Sequence, residues 1–562
     1  MDNFSASLRL TKPALRSDGG IVAAQHRRAA EAGAAILAQG GDAVDAAIAT
    51  SFALGVLEPW MSGIGGGGAM VLYRAREDRH LVIDFGMRAP ASLDPADYPL
   101  SGEGVSSDLF PWAKVREDRN VHGPLSVAVP GVVDGMRVAY EHFAELPWST
   151  LLQPAIGCAE EGLLIDWFAV EAIASAAQDL VRYPGSREGF LVNGLPPVPA
   201  WSARTPVRLS QARLARTLHR LAQAGARDFY DGALAQDLAR EMQSAGGKLS
   251  AQDLSAYRAR EADPLVIPYR SSRVFAMPEL TAGPTLAHTL RLLAERLKPG
   301  PGPAAASYIA YAQSLQEAYA FRLSRMGDVD GARAPGCTSH FCVVDRHGNM
   351  AAVTQTLLSI FGSRLTLPES GILMNNGIMW FDPEPGRPNS LAPGKRCLTN
   401  YCPVIVADGE RRFALGASGG RRILPAVAQL LSFLVDYRMD LEQAFHTPRI
   451  DASEGDLVIG DMLLSEDVQA ALAARFPYIA QRRQTLPFKF ACPSAVLRSG
   501  STNSARPRLL RRGRMPWRRD RCSGAYRLKC NGVERGDYAC AVLSSEGTNL
   551  TSPISDATSP PS

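Results

Sequence analysis

Apolar positions change their spacing along the chain, and each change marks an element. Over residues 20–58 the apolar density is highest, in AAQHRRAAEAGAAILAQGG and then AVDAAIATSFALGVL. Both stretches predict helices. Gly40–Gly41 stop the first, because glycine readily takes the left-handed conformation past a helix end. Asp42 is placed to cap the second. That second stretch is apolar on nearly every face, which predicts a buried helix. After SGIGGGG, the segments AMVLYRA and HLVIDFG alternate with a period of two, the signature of a hairpin. From about 125 to 330 helical patterns dominate. AQDLAREMQSAGG and SYIAYAQSLQEAYAFRLSRM are the clearest, separated by Pro-rich turns such as NGLPPVPAW and KPGPGPA.

The spacing changes again near residue 335. GCTSHFCVVDRHGNMAAVTQTLLSIFG reads as strand, tight turn, strand. Thr338, His340, Cys342 and Val344 fall on one face of the first strand; Ser339, Phe341 and Val343 fall on the other. Arg346–Asn349 supply the turn, with a glycine inside it. GILMNNG, CPVIVADG and RFALGAS read as further strands, and LPAVAQLLSFLVDY as a helix. Helices around strands on both sides of residue 338 predict a layered α/β or α+β body. Beyond about residue 503 the periodicity is lost. RPRLLRRGRMPWRRDRCSGAYRLKC is dense in arginine, and SSEGTNLTSPISDATSPPS is low in complexity. Residues 503–562 are therefore expected to form a disordered or poorly packed tail, either a basic segment for an anionic partner or a stretch foreign to the native reading frame.

Composition narrows the classes. A chain of 562 residues, 46% of them apolar, supports a large core in two or more folding units or one split domain. A net charge of +4 gives no reason to expect nucleic acid or a membrane as partner. The start, MDNFSASLRLTKPALR, has no apolar run long enough for a secretory signal, and nothing elsewhere is long enough to span a bilayer. The cytoplasm is the default location. Nine cysteines with no C-x-x-C pair do not suggest a disulfide framework. Cys337/Cys342 and Cys397/Cys402 share a spacing of five, wider than a thiolate zinc pair, so no metal and no cofactor are expected. Gly63, Gly65 and Gly68 satisfy G-x-G-x-x-G. A dinucleotide fingerprint needs a strand before the glycines and a helix after them; here a helix precedes and a strand follows. These glycines are expected to let the chain turn close to a neighbouring backbone.

Four segments together carry a more specific signal: GGDAVDAAIATSFALGVLEPWMSGIGGGGAMVLY (40–73), CTSHFCVVDRHGNMAAVTQT (337–356), FGSRLTLPESGILMNN (361–376) and GASGGRRILPAVAQ (416–429). In order and spacing they resemble the gamma-glutamyltransferase family, over residues 20 to 500. The resemblance implies an α+β fold, the four-layer αββα sandwich of the N-terminal-nucleophile hydrolases. It also implies one precursor that cuts itself between Cys337 and Thr338. The products would be a large subunit, 1–337, and a small subunit whose core is 338–502, held together as a heterodimer. A threonine hydroxyl is a poor nucleophile near neutral pH and needs an adjacent base. The α-amino group freed by the cut, with a pKa of about 7.7–8.0, is such a base. By position, Thr338 matches the family's nucleophile and Thr356 the threonine that supports the new amino group. Gly419 and Gly420 match the pair whose backbone N–H groups hold the oxyanion. Ser339 and His340 match the positions after the nucleophile, and His340 is expected to be structural.

The substrate side departs from the family. Its transpeptidases grip a glutamyl α-amino group with an Asn, a Gln and an Asp; the matching positions here are Leu358, Gly377 and Trp380. An ammonium group would go uncompensated among them. Gly86 stands where the family's carboxylate-binding arginine belongs, with Arg88 two residues on as a substitute; a guanidinium fork suits a carboxylate. Thr399 and Asn400 replace the family's paired serines and retain hydrogen-bonding side chains. The 381–395 segment is short for a substrate flap. The expected function is a self-processed threonine amidase or acylase acting on a small carboxylate-bearing acyl amide, such as the glutaryl amides of the family's cephalosporin acylases. Gamma-glutamyl transfer or glutathione hydrolysis, oxamate hydrolysis, and an unprocessed non-catalytic protein are the alternatives.

Overall fold

The structure, a computed structural model, describes residues 14–106, 112–199, 206–325, 337–481, 490–500 and 539–542. Two large sheets form its centre. The strands of these sheets are β1 (Gly20–Ala24), β2 (Gly67–Arg74), β3 (Arg79–Phe85), β4 (Arg260–Ala262), β5 (Leu265–Tyr269), β6 (Ser272–Ala276), β7 (Cys337–Asp345), β8 (Met350–Leu358), β9 (Val404–Asp408), β10 (Arg411–Ser418), β11 (Cys492–Ser499) and β12 (Ala539–Val542). One sheet has the order β12-β1-β7-β8-β2-β3-β4, the other β11-β10-β9-β6-β5. In the first, β7 runs antiparallel to β1, with Val22 opposite Val343, and β8 antiparallel to β2, with Thr356 opposite Gly67.

The alternation read for β7 sorts its side chains into two layers. Cys342 and Val344 join Met350 and Ala352 of β8 and pack against Phe275, Ile405, Ala414 and Val496 of the second sheet. Phe341 and Val343 face the helices, among them α1 (Arg27–Ala38), α2 (Ala43–Leu57), α3 (Val132–Phe143) and α4 (Trp148–Glu161). The outer face of the second sheet carries Val274, Val404, Val406, Phe413 and Leu415. It packs on α5 (Gly283–Arg296), α6 (Ala305–Arg325) and α7 (Ile423–Val435). Helix, sheet, sheet, helix is the αββα sandwich. The apolar ring of α2 explains its place: almost every residue from Ala43 to Leu57 is buried. Asp42 accepts from the N–H groups of Val44 and Asp45, and Asp45 answers to the Asp42 N–H. Such a capping box is worth about 1 kcal/mol.

Two expectations change. Gly20–Ala24, inside the run read as helix, is strand β1; five apolar residues before an Ala-rich helix have no period that separates the two. GILMNNG is not a ladder strand. Its Leu373 and Met374 make single bridges, to Thr366 and Gly65, and a 3-10 turn follows over Gly377–Trp380. Of the stretch 503–562, the described residues are Ala539–Val542, which pair parallel with β1 at the edge of the first sheet; the remainder, on which the expectation of a poorly packed tail falls, lies outside the described residues.

Candidate active site

Thr338 sits at the start of β7, next to a register shift between Cys337 and Ser339. It is 5% exposed. Its hydroxyl donates to the Thr356 hydroxyl at 3.4 Å, and Thr356 Oγ1 also accepts from the Leu358 N–H at 2.8 Å. The second contact is local. Leu358 has φ of 89°, and that kink at the end of β8 turns its N–H back onto the Thr356 side chain. The two threonines expected from the resemblance are thus brought together across the hairpin.

The glycine run supports this pair by close approach. A Cβ on Gly66 would lie 2.2 Å from the Thr356 carbonyl oxygen, one on Gly68 2.3 Å from that of Thr354, and one on Gly65 2.3 Å from that of Leu373. The glycines therefore serve backbone contact, with helix α2 before them and strand β2 after. Beneath Thr338 runs a polar chain. Ser62 donates to Ser339 at 3.0 Å, Gln355 donates to Ser62 and to the Ser51 carbonyl, and Ser51 donates to Gln355 Oε1. It ties the loop after α2 to the start of β7.

His340 is structural. Its ring lies in van der Waals contact with Gly416 of β10, where a Cβ would meet it at 2.2 Å. Nδ1 pairs with the Thr354 hydroxyl at 2.9 Å and Nε2 with the Cys342 thiol at 3.2 Å. Burial lowers its pKa to about 3, so it stays neutral at physiological pH. The Cys342 thiol, also buried, is pushed above its ordinary value by desolvation.

The same contacts place the glycine pair. Ser494 Oγ donates to the His340 carbonyl, and Ser494 is opposite Gly416 in the second sheet. Arg498 Nη1 donates to the Asp345 carbonyl, so β11 runs alongside β7 and β10 runs against it. Two residues beyond Gly416, β10 therefore ends at the Thr338 end of β7. There Ser418 leads into Gly419 and Gly420, whose φ values are 139° and 61°. Side chains rarely tolerate that backbone, and it turns successive N–H groups out of the ladder. Gln25, at the end of β1, donates to Ser418 Oγ and holds this junction from the other half of the chain.

On the acyl side, Leu358 and Trp380 are buried in the layer between the sheets, with Met87, Met379, Cys397 and Tyr401. Gly377 has no room for a side chain: a Cβ would lie 2.7 Å from both Ala128 Cβ and Met87 Sδ. The position that carries glutamine in the family's transpeptidases is filled by its apolar neighbours. Thr399 and Asn400 differ in what they offer. Thr399 spends its hydroxyl on the Leu280 carbonyl at 3.2 Å, which removes it as a donor to an anion. Asn400 Oδ1 accepts from Arg322 Nη2 at 3.3 Å, and the same nitrogen reaches the Thr399 carbonyl at 2.9 Å. The amide nitrogen of Asn400 is thereby directed away from Arg322. Arg88 lies in an extended segment between buried Met87 and Ala89, and its side chain is exposed, on the outward face.

Sequence reasoning missed several supports. Asn375 donates to the Gly65 and Ala128 carbonyls and accepts from the Ala128 and Gly377 N–H groups. Asn376 similarly joins Val121 and Ser359. The pair N-N before a glycine was a usable signal, because fully buried amides must be satisfied on both sides. Gln25 and Arg322 left no such trace; each meets its partner only through tertiary contact.

Comparison with known proteins places the chain in a family. The family model described as Gamma-glutamyltranspeptidase matches residues 29–337 and 331–502. The Acylase ACY 1 proenzyme of Pseudomonas sp. (strain V22) is 34% identical over 501 residues, covering 83% of this chain and 88% of that one. The glutathione hydrolase proenzyme of Escherichia coli (strain K12) is 30% identical, covering 77% and 80%. Among solved structures, a cephalosporin acylase from Bacillus halodurans superimposes with a TM-score of 0.76 over 89% of this chain and 95% of that one; at 23% identity this likeness speaks for the fold. With family model, relatives and fold in agreement, the chain belongs to the gamma-glutamyltranspeptidase family of N-terminal-nucleophile enzymes.

Proposed function

We propose that the protein is a self-processing threonine acylase that hydrolyses amides of small, carboxylate-bearing acyl groups. The observation that carries the reading is the Thr338–Thr356 pair at the strand end where Gly419–Gly420 also arrive. In maturation, Thr338 Oγ attacks the Cys337 carbonyl carbon. The C–N bond breaks to leave an ester and frees the Thr338 α-amino group, which takes up the hydroxyl proton; water then hydrolyses the ester, releasing the Cys337 carboxylate and restoring the Thr338 hydroxyl. In turnover, the amino group takes the hydroxyl proton as Oγ attacks the substrate carbonyl. The N–H groups of Gly419 and Gly420 hold the oxyanion. The proton passes to the departing amine, and water then releases the acid from the acyl-threonine.

The acyl preference follows from desolvation. Leu358, Gly377 and Trp380 offer an α-ammonium group no acceptor side chain, while the Asn400 amide offers a donor to a carboxylate. Names borne by the 34%-identical acylase proenzymes support this reading; those of the 30%-identical glutathione hydrolases keep γ-glutamyl hydrolysis as the second reading.

Two measurements test it. Denaturing electrophoresis should show two chains, the smaller beginning Thr-Ser-His-Phe, and Thr338→Ala should stay in one piece. Cutting at another bond, or an intact wild-type chain, would overturn the mechanism. Glutaryl-p-nitroanilide should then be hydrolysed at least about tenfold better than its γ-glutamyl analogue, the penalty of one poorly compensated charge. The reverse order would establish the second reading.

A further inference from the structure

The helix side of the first sheet holds a cavity of about 460 Å³, and none of the acyl-side residues Leu358, Trp380 and Asn400 lines it. It falls at a seam between two apolar clusters. Phe52, Ile64 and Leu218 belong to the cluster under α2; Phe190, Leu357 and Leu373 belong to the one around the helix Trp167–Leu180. The elements cannot move together to close the seam, because their backbones already touch around it. A Cβ on Gly55 would lie 2.9 Å from Gly63 Cα, one on Gly185 2.2 Å from the Thr366 carbonyl oxygen, and one on Gly371 2.7 Å from the Leu214 nitrogen. Gly189, in the helix Pro184–Phe190, also lines the cavity and has nothing within 4 Å of an added Cβ. The volume is in the range usual for small-molecule sites. The cavity also touches two supports of the Thr338–Thr356 pair. Leu357 follows Thr356, and Ser62, in the lining, donates to Ser339 at 3.0 Å.

The lining is apolar inside and positive at its mouth. Glu188, Ala212 and Arg216 are exposed there. Arg213 donates to Glu188 through both Nη atoms, at 2.9 and 3.0 Å, so that pair is neutral. Arg216 has no carboxylate partner among the described residues; its Nη1 reaches the Ala212 carbonyl at 3.5 Å. Both arginines stand in the first turns of the helix Ala212–Ala224, whose N-terminus adds a partial positive charge. Gln211, its N-cap, is closed to a ligand: the amide nitrogen donates to the Val56 carbonyl at 2.9 Å, and the amide oxygen is buried. Glu188, Arg213 and Arg216 are the ionisable side chains of the lining. An ammonium group is repelled at such a mouth, and a neutral head leaves the guanidinium without a counter-charge. A carboxylate meets it with charge-assisted hydrogen bonds. An apolar body behind the carboxylate gains by leaving water for the walls.

We propose that this cavity is a binding site for an apolar monocarboxylate, whose anion meets Arg216 and the helix start and whose aryl or alkyl body lies between Phe190, Leu214 and Leu373. The site stands whether or not Thr338 is the nucleophile. Calorimetric titration of the purified full chain with 4-phenylbutyrate tests it, with glutarate in excess to occupy the acyl side. One site should fill. Arg216→Gln, which changes an exposed side chain, should weaken binding about threefold, as for a partly exposed ion pair. Gly189→Phe should abolish binding by filling the space, and so should Leu214→Trp from the helix Ala212–Ala224. Thermal melts identify the folded variants, and either of these two decides the point; Arg216→Gln decides it independently. 4-Phenylbutan-1-ol should bind more weakly than the acid, and 4-phenylbutylamine more weakly still. No binding of 4-phenylbutyrate at about 1 mM overturns the site. So does an amine that binds as tightly as the acid, binding that survives in a folded Gly189→Phe or Leu214→Trp, or binding that Arg216→Gln leaves unchanged.

Discussion

At the scale of single residues, the site shows how burial divides labour among similar groups. Thr338 and Thr356 are both buried strand threonines, and a strand threonine by itself signals only β-propensity. Resemblance picked them out, and the structure set them 3.4 Å apart. His340 follows Thr338 by two residues, on the same face of the strand, and is a tempting base. Its neutral, wedged ring serves packing instead. Glu58 gives a prediction with a definite sign. Its folded pKa, about 8, lies above the ordinary carboxyl value, so the folded state holds a proton that the unfolded chain releases above about pH 4.5. Stability from this group is therefore complete in acid and is lost as pH rises towards 8, by at most about 1.4 kcal/mol per pH unit. Glu58→Gln, which cannot ionise, should melt close to wild type at pH 5 and clearly above it at pH 8. Equal shifts at both pH values would mean that the carboxyl is already ionised at neutral pH.

At the scale of elements, the hairpins and helices with strong periods were legible: α2, β2–β3, β7–β8, β10 and α7. What stayed hidden has a common cause. β1 is five apolar residues joined to an Ala-rich helix, and β4 to β6 are short, with Pro268 inside β5. Such segments are strands because neighbouring strands pair with them, so local sequence underdetermines them. The glycine run was legible for the right reason, since backbone proximity needs glycine whichever strand supplies the neighbour. That yields a paired test. Gly66→Ala would drive a methyl into the Thr356 carbonyl, and overpacking of this kind costs about 1–3 kcal/mol. Maturation should slow or stop, because Thr356 must shift. Gly157→Ala, inside α4 with nothing within 4 Å of its new Cβ, should instead gain about 0.5–1 kcal/mol. Thermal melts and the extent of self-cleavage read both. A Gly66→Ala protein that matures at the wild-type rate would remove the glycine run from the support of Thr356.

At the scale of the whole molecule, the expected cut does not separate two domains. Residues before 338 supply β1, β2, β3 and β4 in one sheet and β5 and β6 in the other; residues from 338 on supply nearly all of β7, with β8 and β12, in the first sheet and β9, β10 and β11 in the second. The β7–β8 hairpin lies between β1 and β2, bonded on both sides to the large part. In the second sheet β6 pairs with β9 across the same divide. The four-layer architecture was implied by the resemblance, but this interleaving depends on pairings between residues more than 250 apart, such as Val22 with Val343, and no local pattern encodes them. Its consequence is physical. Separating the chains would expose both edges of β7–β8 together with the layer between the sheets, and unpaired edges with apolar faces aggregate. The mature protein should elute as one particle under native conditions and resolve into two chains only in denaturant. Residues 338–562 produced alone should be insoluble or unfolded, and should become soluble when 1–337 is made in the same cell. A small chain that folds alone, with a cooperative thermal transition of its own, would show that its core does not need β1, β2 and β6, and the interleaved sandwich would then be the wrong account of what holds Thr338 in place.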